Sequence, residues 1–274
     1  MIRSTACWPL AAALVAATAV PRVASAAPFE MAISPSRFEL SGKGGTRIGQ
    51  TLDLQNVGNQ PTEVAVRTID WSFSEDGAVS YHDALQPDSC RPWVTLERPR
   101  LRLAPREKRA YRFQIDVPSD APRRECRFML AVEGVEPAYQ AAVQSPGVSL
   151  SLPVTGRIAV AVYLAVGGAV PRLSMLGIDM REQPGGRAPV VTVRNDGDAH
   201  GRLGGSLDAV DAGGRRLEWL PDSTPVLPGQ TRRLALTPRD AGDAKVLARP
   251  DYPVRASGTL DWEDGSFRVE AEFR

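Results

Sequence analysis

The sequence predicts an all-β chain built as two sandwiches, and three observations carry that prediction. Apolar residues recur with a period of two in one segment after another. No stretch of ten or more residues sustains a helical period. Turn residues are dense, with 24 Gly and 23 Pro making up more than a sixth of 274 residues. A hydrophobic content of 43% supplies material for packed cores, and 274 residues accommodate one large domain or two ordinary ones. The formal charge of +1 excludes a strongly basic nucleic-acid binder. Only three of the 33 basic residues are Lys, a bias that carries no functional weight by itself.

The first segment sets the compartment. Arg3, the apolar run from Leu10 to Val20 and the small-residue site Ala24-Ser25-Ala26 read as a secretory signal peptide over residues 1–26. The run is shorter than the roughly 20 apolar residues a membrane span needs, so no membrane insertion is expected. Cys7 lies before the apolar run, which argues against a lipid anchor. The exported chain, close to neutral with 31 basic and 32 acidic residues after loss of Arg3 and Arg22, keeps Cys90 and Cys126. An even pair in an exported protein reads as a disulfide, and the C-x-x-C spacing of thiol exchange is absent.

The elements that follow form an imperfect internal repeat. The first half carries Leu52-Asp-Leu54-Gln-Asn56-Val-Gly58 and then a strand from Val64; the second carries Val191-Thr-Val193-Arg-Asn195-Asp-Gly197 and then a strand around Leu207. Each half later has a proline turn leading into an alternating strand, at Pro105 and at Pro228. Tyr111, Phe113, Ile115 and Val117 alternate with polar residues, as do Phe128, Leu130 and Val132. Near the end, Tyr252 to Trp262 and Phe267 to Phe273 alternate on either side of Glu263-Asp264-Gly265, a hairpin signal. About seven short strands per half predict two immunoglobulin-like β-sandwich domains joined at an angle. The expected bounds are 27–166, with a long final strand, and 171–274, with Gly167-Gly168-Ala-Val-Pro171 as the hinge.

That final strand is too long for an ordinary one. From Val148 to Val166 every even position except Gly156 is apolar. Pro153 cannot donate a ladder hydrogen bond, so its part of the strand belongs at a sheet edge. An exposed apolar edge is a hazard that proteins suppress unless something is meant to pair there. The competing reading packs Val148–Val154 inside its own domain.

Together these residues resemble the periplasmic pilus-assembly chaperones of the chaperone–usher pathway, the two-domain PapD-like family, in its divergent archaic branch. The resemblance spans nearly all of the mature chain. It rests on Ile33-Ser-Pro-Ser-Arg37-Phe-Glu-Leu, Leu54-Gln-Asn56-Val-Gly58, Val66-Arg67-Thr-Ile-Asp-Trp71, the Pro105 turn, Arg127-Phe128-Met-Leu130 and the long alternating strand. Asn195-Asp-Gly-Asp-Ala-His200-Gly-Arg and Leu227-Pro-Gly-Gln-Thr-Arg232 extend it into the second half. The resemblance implies a non-enzymatic chaperone that lends an edge strand to a subunit whose sandwich lacks one, by β-strand addition. Its implied partners are pilus or related surface subunits and an outer-membrane usher. Val148, Leu150, Leu152 and Val154 would be the lent side chains. In the family two basic residues in the interdomain cleft hold the subunit's C-terminal carboxylate. Arg37, after the Ser-Pro step, fits one. The other is usually a Lys inside the final strand; here Arg157 is the only cation of that stretch, two residues before the family's position, which holds Ala159.

An enzyme is not expected. His82 and His200 belong to no metal or catalytic spacing, and no G-x-S-x-G, P-loop or Rossmann fingerprint occurs. His200 reads as a loop hydrogen-bonder. Asp70, Glu75, Asp76 and Asp83 read as solvated hairpin acids, without EF-hand spacing. Arg98, Arg100 and Arg102 read as an exposed strand face. No cofactor and no metal is implied. The alternative is an exported immunoglobulin-like adhesin or envelope structural protein that lends no strand.

Overall fold

The structure is a computed structural model that describes residues 29–274 except 76, 88, 136–138, 146–147, 155 and 184–185; for 139–145, 148–154 and 244 it describes the backbone alone. The segment 1–26 expected to be a signal peptide, with Cys7, lies outside the described residues, as does Asp76.

In the first half the strands are β1 (Met31–Ser34), β2 (Arg37–Gly42), β3 (Arg47–Asn56), β4 (Thr62–Phe73), β5 (Val79–His82), β6 (Val94–Leu96), β7 (Arg100–Leu103), β8 (Lys108–Asp116), β9 (Arg124–Gly134), β10 (Tyr139–Ser145), β11 (Val148–Val154) and β12 (Arg157–Val166). They form one sheet ordered β1-β3-β8-β6 and another ordered β2-β12-β9-β4-β5, with β7 also on β4. The period-two pattern seats Leu52 and Leu54 of β3, Tyr111, Phe113 and Ile115 of β8, Phe128, Leu130 and Val132 of β9 and Val160, Val162 and Leu164 of β12 between the sheets. The chain changes sheets between β1 and β2, across Pro35 and Ser36: β1 pairs antiparallel with β3, whereas β2 runs parallel to β12. The Cys90–Cys126 disulfide is formed, with a Cα–Cα distance of 5.8 Å and both residues buried in this core.

In the second half the strands are β13 (Leu173–Gln183), β14 (Gly186–Asn195), β15 (Gly204–Val210), β16 (Arg216–Pro221), β17 (Thr231–Asp240), β18 (Asp243–Leu247), β19 (Val254–Trp262) and β20 (Gly265–Phe273). Strand β17 pairs with β14 through Thr231–Ala235 and with β16 through Leu236–Asp240, so it bends from one layer into the other. A core around Trp219, Val191, Leu207, Leu234, Leu260 and Phe273 fills the fold. No α-helix occurs among the described residues.

The two Asn-x-Gly segments are one structural device used twice. Buried Asn56 Oδ1 accepts the Gly58 N–H at 3.0 Å, and its Nδ2 donates to the carbonyls of Gln60 and Ala104 at 2.7 and 3.0 Å. Asn195 does the same with the Gly197 N–H at 2.9 Å and the carbonyls of Ala199 and Val226 at 2.7 and 2.8 Å. Each side chain ties a strand end to a distant proline turn, so buried backbone groups there are satisfied.

Two expectations are corrected. The alternation from Val148 to Val166 is two strands rather than one, because β11 ends at Val154 and β12 begins at Arg157. At the break the Gly134 N–H still donates to the Gly156 carbonyl at 3.2 Å and the Val135 N–H extends the pairing with β4 at the Glu63 carbonyl, while the Phe29 ring packs across Gly134 and Gly156. A Cβ on Gly156 would lie 2.3 Å from the Phe29 ring, so the seat requires glycine. Asp70 is not a solvated hairpin acid either. It is buried and accepts the Gln86 N–H at 3.0 Å and the Ser89 hydroxyl at 2.7 Å, with Arg91 Nη1 at 3.3 Å, and so fixes the loop that delivers Cys90.

Candidate functional site

The candidate site begins as an open strand edge. Strand β11 pairs with β10 in a separate two-stranded ribbon, and among the described residues no third strand joins either. The register sets Tyr139 opposite Val154, Ala141 opposite Leu152, Val143 opposite Leu150 and Ser145 opposite Val148. Opposed residues share a face of a ladder. Val148, Leu150, Leu152 and Val154 therefore share theirs with Tyr139, Ala141, Val143 and Ser145, while Gln140, Ala142, Gln144, Ser149, Ser151 and Pro153 occupy the other. The side chains of all these positions lie outside the described residues. No charged residue occurs from Ala138 to Gly156.

The open edge continues into the body of the protein. Residues Arg157–Val160 of β12 pair with β9 on one side, but β2 joins the other side only at Ala161, opposite Arg37. The edge therefore runs from β11 along the start of β12 and stops at Arg37. The crossing of the chain between sheets at Pro35 is what leaves those four residues uncovered.

Beyond that point the outer face of the sheet is covered by the second half. Odd-numbered Ala159, Ala161 and Tyr163 of β12 pack with Ile69, Trp71, Met129, Ala131 and Leu227, the last from the second half. Gln230 Nε2 donates to the Phe73 carbonyl at 2.9 Å, and the Asp198 carbonyl accepts the Glu125 N–H at 2.7 Å. Gly167 and Gly168, at φ 65° and 77°, turn the chain between the halves where a side chain would be strained.

A charged cluster stands at the foot of the edge, beside a cleft of about 510 Å³ that Glu39, Glu125, Tyr163, His200 and Arg202 help to line. The Glu125 side chain, 1% exposed, accepts the His200 backbone N–H at 2.7 Å and lies 2.5 Å from His200 Nδ1. The imidazole lies against Tyr163 with centroids 4.1 Å apart, and Arg202 Cζ sits 5.5 Å from the same phenol ring. Burial pushes the Tyr163 hydroxyl up to about 12, so it stays neutral. Glu39 Oε1 accepts Arg37 Nε–H at 2.7 Å and Arg202 Nε–H at 3.1 Å, with His200 Nε2 at 3.8 Å. Burial would raise the Glu39 carboxyl, but the hydrogen bond from Arg37 and the charges of Arg202 and His200 outweigh it and hold it below its ordinary value.

Arg157 belongs to a different cluster. It pairs with Glu133, which also takes a two-pronged contact from Arg67 Nε and Nη2 at 3.1 and 2.9 Å; Arg67 Nη1 in turn meets Asp83 at 2.8 Å. Arg37 and Arg157 lie on one face of the sheet, but Arg37 faces Ala161, four residues beyond Arg157. That offset is about 13 Å along the strand, so one carboxylate does not bridge the two as they stand.

The sequence pointed to Arg37, Arg157, the β11 residues and the two cysteines. It did not point to Glu39, Glu125, Tyr163 or Arg202. A signal existed for Glu39, since Arg37-Phe38-Glu39 alternates and places both charges on one face. His200 is indeed a loop hydrogen-bonder, but its partner is 75 residues away. Among the described residues no group of three His, Cys, Asp or Glu side chains is arranged to hold a metal.

No known protein family matches the sequence, and no curated protein matches it. Solved structures with a similar course of the chain include the YadV chaperone, at 15% identity and a TM-score of 0.45 over 89% of this chain and 99% of that one. Another is the SafB chaperone of Salmonella enterica in complex with the SafA pilin, at 15% identity and 0.44 over 90% and 98%. A third is the CsuC–CsuE complex of chaperone and tip adhesion subunit from the archaic Csu pili of Acinetobacter baumannii, at 16% identity and 0.42 over 89% and 97%.

Proposed function

We propose that this chain is an exported assembly chaperone that lends the edge of β11 to a pilus-type subunit whose own sandwich lacks a strand. The client's added strand runs along Val148–Val154 and the uncovered start of β12. Its C-terminal carboxylate meets Arg37 at the foot, with Arg157 as a second cation along the same face. The work is done in the periplasm, before the subunit passes to an outer-membrane usher. The observation that carries this reading is the open edge of β11, which resumes along Arg157–Val160 of β12 and ends beside an exposed arginine. Backbone pairing along it supplies affinity independent of sequence, and alternate apolar positions fill the client's empty groove. The absence of charge from Ala138 to Gly156 fits burial in such a groove, where an unpaired charge would be costly.

The test is coexpression with the subunits encoded beside its gene, followed by purification from the periplasm and hydrogen exchange on the complex. Amides of residues 148–160 are expected to gain protection when a subunit is bound. Recovery of the chain alone, or protection confined to other strands, would refute strand donation.

A further inference from the structure

We propose that Glu39 is an internal competitor for Arg37, displaced by an incoming carboxylate and then held by Arg202 of the second half. The inference rests on the reading of Arg37 as a carboxylate anchor. One oxygen, Glu39 Oε1, accepts Arg37 Nε–H at 2.7 Å and Arg202 Nε–H at 3.1 Å, and lies 3.8 Å from His200 Nε2. Arg37 is half exposed, and its two terminal nitrogens make no hydrogen bond to described residues, so an external carboxylate has a way in. Planar guanidinium groups bind carboxylates in a two-pronged fashion, and the Nε–H that Glu39 now occupies is one of the donors a two-pronged ligand uses.

Glu39 is not stranded when Arg37 turns away. Arg202 is fixed in place, with Nη1 donating to the Ser223 carbonyl at 2.9 Å and its guanidinium over Tyr163. His200 is fixed by Glu125. Glu39 is thus shared between the anchor and two groups of the other half, and whatever strengthens its hold on one side weakens it on the other. This sharing couples carboxylate capture to the contact between the halves. It gives Arg202, which need touch no client, a defined influence on binding.

The opposite signs expected at two positions make the idea testable. The probe is an acetylated hexapeptide of alternating Thr and Val, used with a free C-terminus and as its amide, and the readout is the ratio of the two affinities by calorimetry. The wild type is expected to favour the free acid, and Arg37→Ala to abolish that preference. Glu39→Gln removes the competitor and is expected to raise the ratio by about threefold, within the range of exposed ion pairs. Arg202→Gln removes the stronger of Glu39's two partners in the other half and is expected to lower it by a similar factor. In the Glu39→Gln background Arg202→Gln is expected to change nothing, since the charge it acts through is gone. Glu39→Gln alters a side chain 44% exposed and carries the test even where Arg202→Gln does not fold. A lower or unchanged ratio for Glu39→Gln, with the preference still abolished by Arg37→Ala, overturns this inference alone. Equal ratios in wild type and Arg37→Ala overturn the anchor reading beneath it.

Discussion

Replacing Leu150 and Leu152 together with Ser separates a lent strand from a core strand. Both positions lie in a ribbon with a single partner strand, opposite Val143 and Ala141. Val162, in the second part of the same alternation, is 0% exposed in the main core and serves as the control. Burying a leucine contributes about 2 kcal/mol, so loss of both from a client groove costs about 4 kcal/mol, or roughly a thousandfold in affinity. In the free protein a lent strand has no groove to fill, and the double variant is expected to melt within about 2 °C of wild type. Val162→Ser empties a packed site and buries a hydroxyl, at a cost of about 3 kcal/mol. At about 2–4 °C per kcal/mol for a chain of this size, that control is expected to melt at least 6 °C lower. The assay is thermal unfolding of purified proteins, followed by client stabilisation on coexpression. A drop in the double variant as large as that of Val162→Ser would show the leucines to be core residues and sink strand donation at these positions.

Cys126→Ser opens a disulfide with a sequence separation of 36 and is expected to lower stability by about 3–4 kcal/mol in urea unfolding, while peptide mapping of the wild type without reductant finds Cys90 and Cys126 linked. Asn56→Ala leaves one N–H and two carbonyls short of a partner, Asn195→Ala two N–H groups and two carbonyls, and each is expected to cost about 2–4 kcal/mol; a loss below 1 kcal/mol at either site would show that water replaces the side chain there. The Glu133 carboxyl is held below its ordinary value of 4.5, mainly by the hydrogen bonds from Arg67. The unfolded chain therefore binds more protons in that window, so the stabilisation is present above about pH 4.5 and fades as pH falls through the folded value. Glu133→Gln is expected to flatten that acid limb in pH-dependent unfolding, and an unchanged limb would remove the cluster from acid stability.

What was legible in the sequence was whatever is local. Alternation on one strand shows which face is apolar, so the cores around Tyr111, Phe128 and Val162 were readable before any pairing was known. The disulfide was readable because only two cysteines, Cys90 and Cys126, lie beyond the segment expected to be a signal peptide. The long alternation was misread as one strand because the break depends on Phe29, more than a hundred residues earlier, packing onto Gly134 and Gly156. Gly156 was the visible exception in the pattern, yet a single glycine does not say whether a strand bends or continues. Asp70 looked like a hairpin acid because its burial arises from the returning loop at Gln86 and Ser89. The charged cluster at the foot of the edge was hidden for the same reason. Glu39, Glu125, His200 and Arg202 come from both halves, and no spacing rule joins them.

The open ribbon has the features that strand-edge protection normally removes. A two-stranded ribbon is marginal by itself, and an unpaired apolar edge invites association with another copy. Proteins commonly guard such edges with lysine or another inward-pointing charge. Here the stretch from Ala138 to Gly156 has no charge at all, although 24% of the chain is charged. Pro153 removes one donor, and the register gathers Ser149, Ser151, Gln140 and Gln144 on one face, leaving Tyr139 and Ser145 as the polar residues of the other. Charge would protect the free edge but would be stranded in a client's apolar groove, where its desolvation exceeds what one strand of backbone pairing returns. Neutral polar residues on one face and an apolar row on the other satisfy both demands. On the strand donation proposed above, they would keep one side wetted and present to a client an opposite side with no charge to desolvate.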